Sequence, residues 1–425
     1  MSAHLQTQWE GIVAIAGAEH VRAASPSDAV DDVEPRAVVE PESAADLARV
    51  LSYAGERGLS VAPRGGGTKL GWGNTPRTVD LALSTRRLGS IVEHAWGDMT
   101  ATVGAGCTVD HFQSVLAEHG QRLAVDPLWP ARATVGGILA TNDSGALRMA
   151  FGSLRDQVIG VTVALADGTI AKSGGRVVKN VAGYDLPKLL TGSLGTLGVI
   201  CEATFRLYPL PREERTLSFS TPAVDVMNRF VLAVLDSPLV ATGLQVCAEE
   251  RTPAPVIYVR LEGAREANES QERRLVELGR DTGVRRVDAP PRVWKAREGV
   301  WQGERPALVC KFSVLPTRLG GFCDLAREVA SSLSLEWSIV AQALGVGLLR
   351  LEGGDEERLV AALKRLRGEV EKTQGSLVAL HCPPAVKARV DVWGEVGDAL
   401  PLMRRVKVQF DPAGILNPGR FVGGI

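Results

Sequence analysis

Residues 61–74 read VAPRGGGTKLGWGN, with three consecutive glycines, Gly65, Gly66 and Gly67, at their centre and Gly71 and Gly73 close behind. A chain without Cβ atoms turns sharply and can aim successive amide N–H groups at one point. Such a nest of amides suits a phosphate or diphosphate, and Arg64 brings a positive charge beside it. Neither common nucleotide loop explains the stretch. The spacing G-x-x-x-x-G-K-[ST] is absent, and Leu70 stands where a Rossmann loop beginning Gly65-x-Gly67 needs glycine. A flexible surface turn is the competing reading of a glycine cluster.

Two further stretches share the pattern. Residues 126–152, DPLWPARATVGGILATNDSGALRMAFG, place Thr134, Val135, Gly136 and Gly137 ahead of Ile138-Leu139-Ala140. This reads as a loop entering a helix, whose first N–H groups and dipole favour an anion; glycines packed closely for their own sake are the alternative. Residues 179–207 set Gly192, Gly195 and Gly198 three apart before a predicted strand, as close backbone approach to a ligand or a compact turn requires. Side chains for acid–base work are sparse. His111 and His119 are predicted two turns apart on one helix, solvated and without the company a metal needs. His381 stands alone in Leu380-His381-Cys382-Pro383. The six cysteines, at 107, 201, 247, 310, 323 and 382, contain no C-x-x-C, so no zinc or iron–sulfur site is expected and they read as buried thiols of a reducing compartment.

The elements that must hold these stretches follow from periodicity. A helix is predicted around 9–16 and a short strand over 36–39. Ser43, with Asp46 three residues on, caps a helix that Gly58 stops, and Leu47, Val50, Leu51 and Ala54 form its core face. A strand over 59–62 feeds the first loop. Strands follow over 78–83 and 91–103, the latter broken by a Gly97-Asp98 turn. Thr108 starts a helix with Val109, Phe112 and Leu116 on one face. A hairpin of 158–165 and 169–172 turns at Asp167-Gly168, and a short helix spans 185–191. Composition changes at Pro209-Leu210-Pro211, which predicts a domain of residues 1–211, a second of 212–395, and a C-terminal segment, 396–425, returning to the first. The second region alternates strands (217–220, 256–261, 308–314, 344–351) with helices (266–279, 356–372), an α+β pattern on an antiparallel sheet. Trp294, Trp301 and Trp337 lie in it and read as core or interface packing.

Bulk properties exclude several classes. In 425 residues, 48 Lys and Arg face 49 Asp and Glu, a formal charge of -1, so nothing draws the chain to nucleic acid or an anionic membrane. No apolar stretch reaches the length of a membrane span, and the N-terminus lacks a basic start and sustained apolar run. A cytoplasmic location is therefore expected, peripheral to the inner membrane at most through partners.

Together, R-G-G-G-T-x-L-G-x-G, T-V-G-G-x-x-A-T-N and Y-D-L-x-K-L-x-x-G-S-x-G-T-L-G-V-I resemble the vanillyl-alcohol-oxidase-type FAD-binding domain family. The terminal F-D-P-x-x-I-L-N-P-G resembles that family's D-lactate and glycolate oxidase branch. The resemblance covers about residues 36–211 and 405–425. It implies an α+β fold with a two-part FAD-binding domain and a cap domain on an antiparallel sheet. It implies that Arg64, Gly65, Gly66, Gly67, Thr68, Lys69, Leu70 and Gly71 wrap the FAD diphosphate, mainly through backbone N–H groups. Thr134, Val135, Gly136, Gly137, Thr141 and Asn142 would line the diphosphate and inner flavin edge, Gly152 the ribityl chain, and Gly198, Val199 and Ile200 the adenine side. Relatives that tether flavin use a first-loop histidine; this loop offers Thr68 and Lys69, so non-covalent FAD is expected. Relatives that oxidise 2-hydroxy acids carry H-G-D-G-N-x-H in the cap domain. Here only the segment around His381 stands near that place, which leaves His381 as the sole catalytic candidate and implies no metal. The outline resembles FAD-binding subunits of the bacterial glycolate oxidase type, which work with a second flavin subunit and an iron–sulfur subunit on a small 2-hydroxy acid. A non-catalytic assembly subunit and a self-sufficient flavin oxidoreductase for another alcohol or hydroxy acid remain the alternatives.

Overall fold

The structure, a computed structural model, describes residues 3–175, 184–252, 254–303 and 305–425, with side chains from residue 9 onward. The opening of the third glycine stretch, residues 179–183, lies outside the described residues. The chain forms two compact units: residues 1–144, 153–210 and 395–425 make the first, and residues 145–152 and 211–394 the second.

Among the described residues the first unit holds two larger sheets and a two-stranded pairing of Gln121–Arg122 with Tyr208–Pro209. In one, the strands Val21–Ala23, Ala37–Val39, Leu81–Ser84 and Val61–Arg64 lie in that order, the last three parallel. The helix Ala44–Glu56 links two of these strands. Ser43 caps it by accepting the amide of Asp46 at 3.1 Å, and Leu47, Val50, Leu51 and Ala54 are fully buried. The strand feeding the first loop starts two residues later than predicted. Leu59 N donates back to Ala54 O at 2.9 Å, closing the helix, and Ser60 N is held by the Asp80 carboxylate at 2.9 Å, so neither is free to join the ladder.

The other sheet is antiparallel, in the order Ile91–Ala95, Thr100–Gly104, Val199–Arg206, Val158–Ala164, Ile170–Gly174. Val103, Phe112, Leu116, Ile138, Leu139 and Phe205 fill its core with no exposure. Thr108 caps the helix Val109–Ala117 as expected. His111 and His119 are exposed, as expected, but His119 lies beyond that helix and stacks on Trp96, ring centroids 5.5 Å apart, with His94 edge-on at 5.1 Å.

In the second unit an eight-stranded antiparallel sheet carries two unlike faces. Leu217, Phe219, Ile257, Val259, Leu308, Phe312, Leu349 and Leu351 alternate onto one face and pack with the helices Val224–Asp236, Leu319–Ser332 and Glu356–Glu371. The alternate positions carry Ser218, Arg260, Gln245, Gln342, Arg350 and Lys311, paired across the ladder as Tyr258↔Ser218, Gln245↔Tyr258 and Gln342↔Gln245. Sequence periodicity missed the strands Ala241–Glu249, Glu336–Gln342 and Ser376–His381 and the helices Val224–Asp236 and Leu319–Ser332. Gly243 and Gln245 interrupt the apolar pattern of one strand, while the apolar run within Val224–Asp236 mimics a strand. The tryptophans pack locally: Trp294 Nε1 donates to Thr216 at 2.9 Å, and the Arg260 guanidinium lies 4.1 Å above its ring.

Candidate functional site

The strand Val61–Arg64 ends directly in the first glycine loop. Among the described residues, no protein group accepts from the backbone N–H of Gly65, Gly66, Gly67 or Thr68. Four consecutive donors without protein acceptors are what an anion nest offers, since buried backbone N–H groups otherwise find partners. The glycines have a separate reason to be glycine. A Cβ on Gly65 would overlap the Thr134 hydroxyl, and one on Gly66 would overlap the carbonyl oxygen of Arg132. Gly67 takes φ +73, a left-handed conformation that favours glycine. The first loop is thus pressed against the second, with amides and not side chains facing outward.

The second loop behaves differently from its anion-site reading. Val135–Thr141 is a helix, and Thr134 caps it. Its first N–H groups are already taken: Val135 donates to Cys107 O at 2.9 Å, Gly136 to Ala105 O at 2.8 Å, and Gly137 to Thr134 Oγ1 at 3.3 Å. Gly136 is glycine for packing, because a Cβ there would lie 2.8 Å from that of Ala105. This helix start therefore supplies a wall and few donors. At its far end Asn142 takes φ 46, and its Oδ1 is buried without a hydrogen-bond partner among the described residues. Thr141 Oγ1 turns back to Gly137 O at 2.8 Å.

Between these loops runs a cleft. One end, about 460 Å³, is lined by residues 63–70 with Thr134, Gly137, Ala140, Thr141, Leu194 and Arg420. The other end, about 430 Å³, is lined by residues 63–65, Thr85, Gly136, Gly137, Ala140, residues 193–195 and residues 198–200. Pro63, Arg64, Gly65, Gly137, Ala140 and Leu194 belong to both ends, so the two are one continuous groove. Arg64, Gly65, Gly66, Gly67, Thr68, Lys69, Leu70, Thr134, Gly136, Gly137, Thr141, Gly198, Val199 and Ile200 are brought together there. Val135 is fully buried behind the wall, and Gly71, Asn142 and Gly152 do not line the groove; Gly152, at φ +77, belongs to the second unit. Sequence reasoning missed Pro63, Thr85, Ala140, Ser193, Leu194 and Arg420, while Gly195 had been singled out only by its spacing. Arg420 follows the Asn417-Pro418-Gly419 turn by one residue, and Leu194 sits among the spaced glycines, so both had a signal in reach.

The charges of the first loop are compensated. Arg64 Nη1 donates to Asp28 Oδ1 at 2.6 Å, and Arg22 donates to both oxygens of the same carboxylate at 2.7 and 2.8 Å. The Arg22 hydrogen bonds, joined by those from Ser25, hold the Asp28 carboxyl far below the usual range despite burial. Lys69 turns its ammonium inward, 3.3 Å from Asp143 Oδ2 and between the rings of Trp72 and Trp129 at 5.8 and 5.6 Å. Burial lowers the Arg420 guanidinium to about 10. Diphosphate recognition at this loop thus falls to backbone donors. That arrangement fits FAD: a linear dinucleotide occupies a groove, its diphosphate needs N–H groups, and the amides of residues 65–68 are unclaimed.

His381 is the last residue of the edge strand Ser376–His381 in the second unit. It is exposed, its ring 6.2 Å from that of Trp301, while Leu380 and Cys382 on either side are buried. Among the described residues, no group of three or more His, Cys, Asp or Glu is placed to hold a metal ion.

Residues 35–174 match the FAD binding domain, and residues 229–421 match the C-terminal domain of FAD linked oxidases. The chain is 30% identical to a D-lactate dehydrogenase of Archaeoglobus fulgidus, across 92% of this chain and 93% of that protein. It is 25% identical to the glycolate oxidase subunit GlcD of Bacillus subtilis, across 91% and 88%. A crystal structure of p-cresol methylhydroxylase with substrate bound superposes with a TM-score of 0.79 at 16% identity, covering 99% of this chain and 97% of that one. The last likeness shows the fold; the first two place the chain by sequence. The protein belongs to the FAD-linked oxidases of the vanillyl-alcohol oxidase and p-cresol methylhydroxylase type, and is an FAD-dependent oxidoreductase of their hydroxy-acid branch.

Proposed function

We propose that this chain is the FAD-carrying subunit of a 2-hydroxy-acid dehydrogenase, with glycolate or D-lactate as substrate class, and that it works beside a second, histidine-bearing flavin subunit and an iron–sulfur subunit. The observation that carries the flavin role is the groove of the first unit, where Gly65, Gly66, Gly67 and Thr68 keep their N–H groups unclaimed. When bound, the flavin supplies the two-electron chemistry, accepting hydride from a carbon that bears a hydroxyl. What the chain contributes is binding and orientation. The first loop neutralises diphosphate by amides, the Arg64–Asp28–Arg22 cluster fixes that loop from behind, and the Thr134-capped helix closes the groove. FAD is held without a covalent bond in this reading, because the first loop carries Thr68 and Lys69 where a tethering histidine would stand, and Lys69 is engaged with Asp143. An acid substrate is supported by the similarity to a D-lactate dehydrogenase and a glycolate oxidase subunit; on the polar face of the large sheet Arg260 and Arg350 are already paired with Glu214 and Glu352.

The division of labour rests on His381. A general base must reach the substrate hydroxyl with a positioned, oriented nitrogen. The sequence holds no H-G-D-G-N-x-H segment, and exposed His381, at the end of an edge strand, is its only histidine after His119. The competing reading, a self-sufficient dehydrogenase, draws on full-length similarity to a D-lactate dehydrogenase. Anaerobic mixing of the FAD-loaded chain with glycolate and with D-lactate, followed by the flavin spectrum, separates the two. The subunit reading expects little bleaching by the chain alone and dye reduction on co-expression with the two partners, unaffected by His381→Ala. Rapid bleaching of the isolated chain, lost in His381→Ala, would make it a complete enzyme.

A further inference from the structure

We propose that Asn417 and Arg420, on the C-terminal tail, are positioning residues for FAD: they hold the two lips of the groove, residues 65–70 and 193–196, so that the first-loop amides face the ligand. The inference rests on the groove being the FAD site. The tail is folded before it reaches the lips. Asp411 accepts the amides of Ile415 and Leu416 at 3.1 and 2.8 Å, and Lys407, in ion pair with Asp411 at 2.5 Å, also donates to Thr196 O and Leu416 O at 2.8 and 2.9 Å. Next the tail runs beside the strand that feeds the first loop, with Val61 N donating to Ile415 O at 2.8 Å and Asn417 N to Val61 O at 2.9 Å.

Each lip then receives a side chain. Asn417 Nδ2 donates to Leu194 O at 2.6 Å, and Leu194 N donates to Ala140 O at 2.8 Å. Leu194 sits at φ +51, a left-handed conformation that costs a leucine free energy and persists only where the surroundings fix it. Arg420 Nη2 donates to Leu70 O at 2.5 Å and Trp72 O at 2.6 Å, and Arg420 O accepts from Asn74 N at 2.9 Å. The same lip carries the amides of Gly65, Gly66, Gly67 and Thr68, which have no protein acceptor among the described residues. Leu194 and Arg420 both line the groove. Ligand and tail therefore act on the same two lips, and coupling between them must be reciprocal: a tail that tightens FAD is itself tightened by FAD.

The test uses apo full-length chain reconstituted with FAD, followed by flavin fluorescence for Kd and by hydrogen exchange of peptides covering residues 411–425. Arg420→Met is expected to weaken FAD by about tenfold or more, the worth of a lost charge-assisted bond pair, with Arg420→Lys recovering part because an ammonium can still reach one carbonyl. In the wild type, FAD is expected to slow exchange at the tail amides, and the slowing to shrink in Asn417→Ala. A purely structural role would lower apo and holo melting alike and leave both Kd and the FAD-dependent protection intact, and either result overturns the proposal. If Arg420→Met does not fold, the wild-type exchange comparison decides alone. Gly66→Ala serves as the reference: loss of FAD there with normal Kd in Arg420→Met defeats the clamp only, whereas normal Kd in Gly66→Ala defeats the groove and the clamp together.

Discussion

Gly66 has no room for a methyl group, because the Arg132 carbonyl occupies the space a Cβ would take. Backbone cannot swing aside as a side chain can, so Gly66→Ala is expected to cost about 1–3 kcal/mol and to empty the protein of flavin. Gly97→Ala, in open space at a surface turn, is the control and should stay within about 0.5 kcal/mol of wild type by urea denaturation. A second residue-scale prediction concerns Asp28, which is 2% exposed and receives hydrogen bonds from Arg22, Arg64 and Ser25. Its folded pKa is depressed, so its contribution to stability is complete above the unfolded value, near 3.9, and is lost as pH falls through the folded value. Wild type should therefore lose stability steeply below about pH 4. Asp28→Asn should be less stable at pH 7 with a flatter acid limb in melts from pH 7 to pH 3. An acid limb of equal slope in both would remove Asp28 from the account.

At the scale of elements, the helix Val135–Thr141 depends on its cap. Thr134 Oγ1 accepts the amide of Gly137, and replacing threonine with alanine should cost about 1 kcal/mol in denaturant midpoint, with Thr134→Ser nearly neutral. The existence of this helix was legible from Thr134 and the apolar run after it; its role was not. Nothing in T-V-G-G says that the Ala105 and Cys107 carbonyls, one helix and a loop earlier in the chain, take the Gly136 and Val135 amides. Such long-range pairing decides whether a helix start is an anion site or a wall, and single-sequence patterns carry no long-range partners. The same holds for Arg64, whose charge was visible but whose partner Asp28 lies between the predicted helix around 9–16 and the predicted strand over 36–39. The strand Val61–Arg64 and helix Ala44–Glu56 were legible because caps, glycine and apolar period agree locally. The strand Ala241–Glu249 was not, because its Gln245 looks outward by pattern yet is wholly buried on the polar face of the sheet.

At the scale of the whole molecule, a groove belongs to one unit and a large antiparallel sheet to the other. Burial pushes the Cys201, Cys247 and Cys323 thiols up to about 12 and Cys107 to about 11. Thiolate is the reactive form, so aromatic disulfide reagents at pH 8 should label the native protein slowly and the denatured protein at all six positions. Fast native labelling would show these sites open to solvent. Among the described residues no helix is long and apolar enough to cross a membrane. The central claim is that the amides of residues 65–68 hold the diphosphate of a non-covalent FAD. Acid precipitation of the purified chain, with chromatography of the supernatant and flavin counting of the pellet, tests it most directly when Gly66→Ala is carried through in parallel. The account predicts FAD in the wild-type supernatant, none in the pellet, and a flavin-free Gly66→Ala; FMN, flavin retained in the pellet, or a fully loaded Gly66→Ala would contradict it.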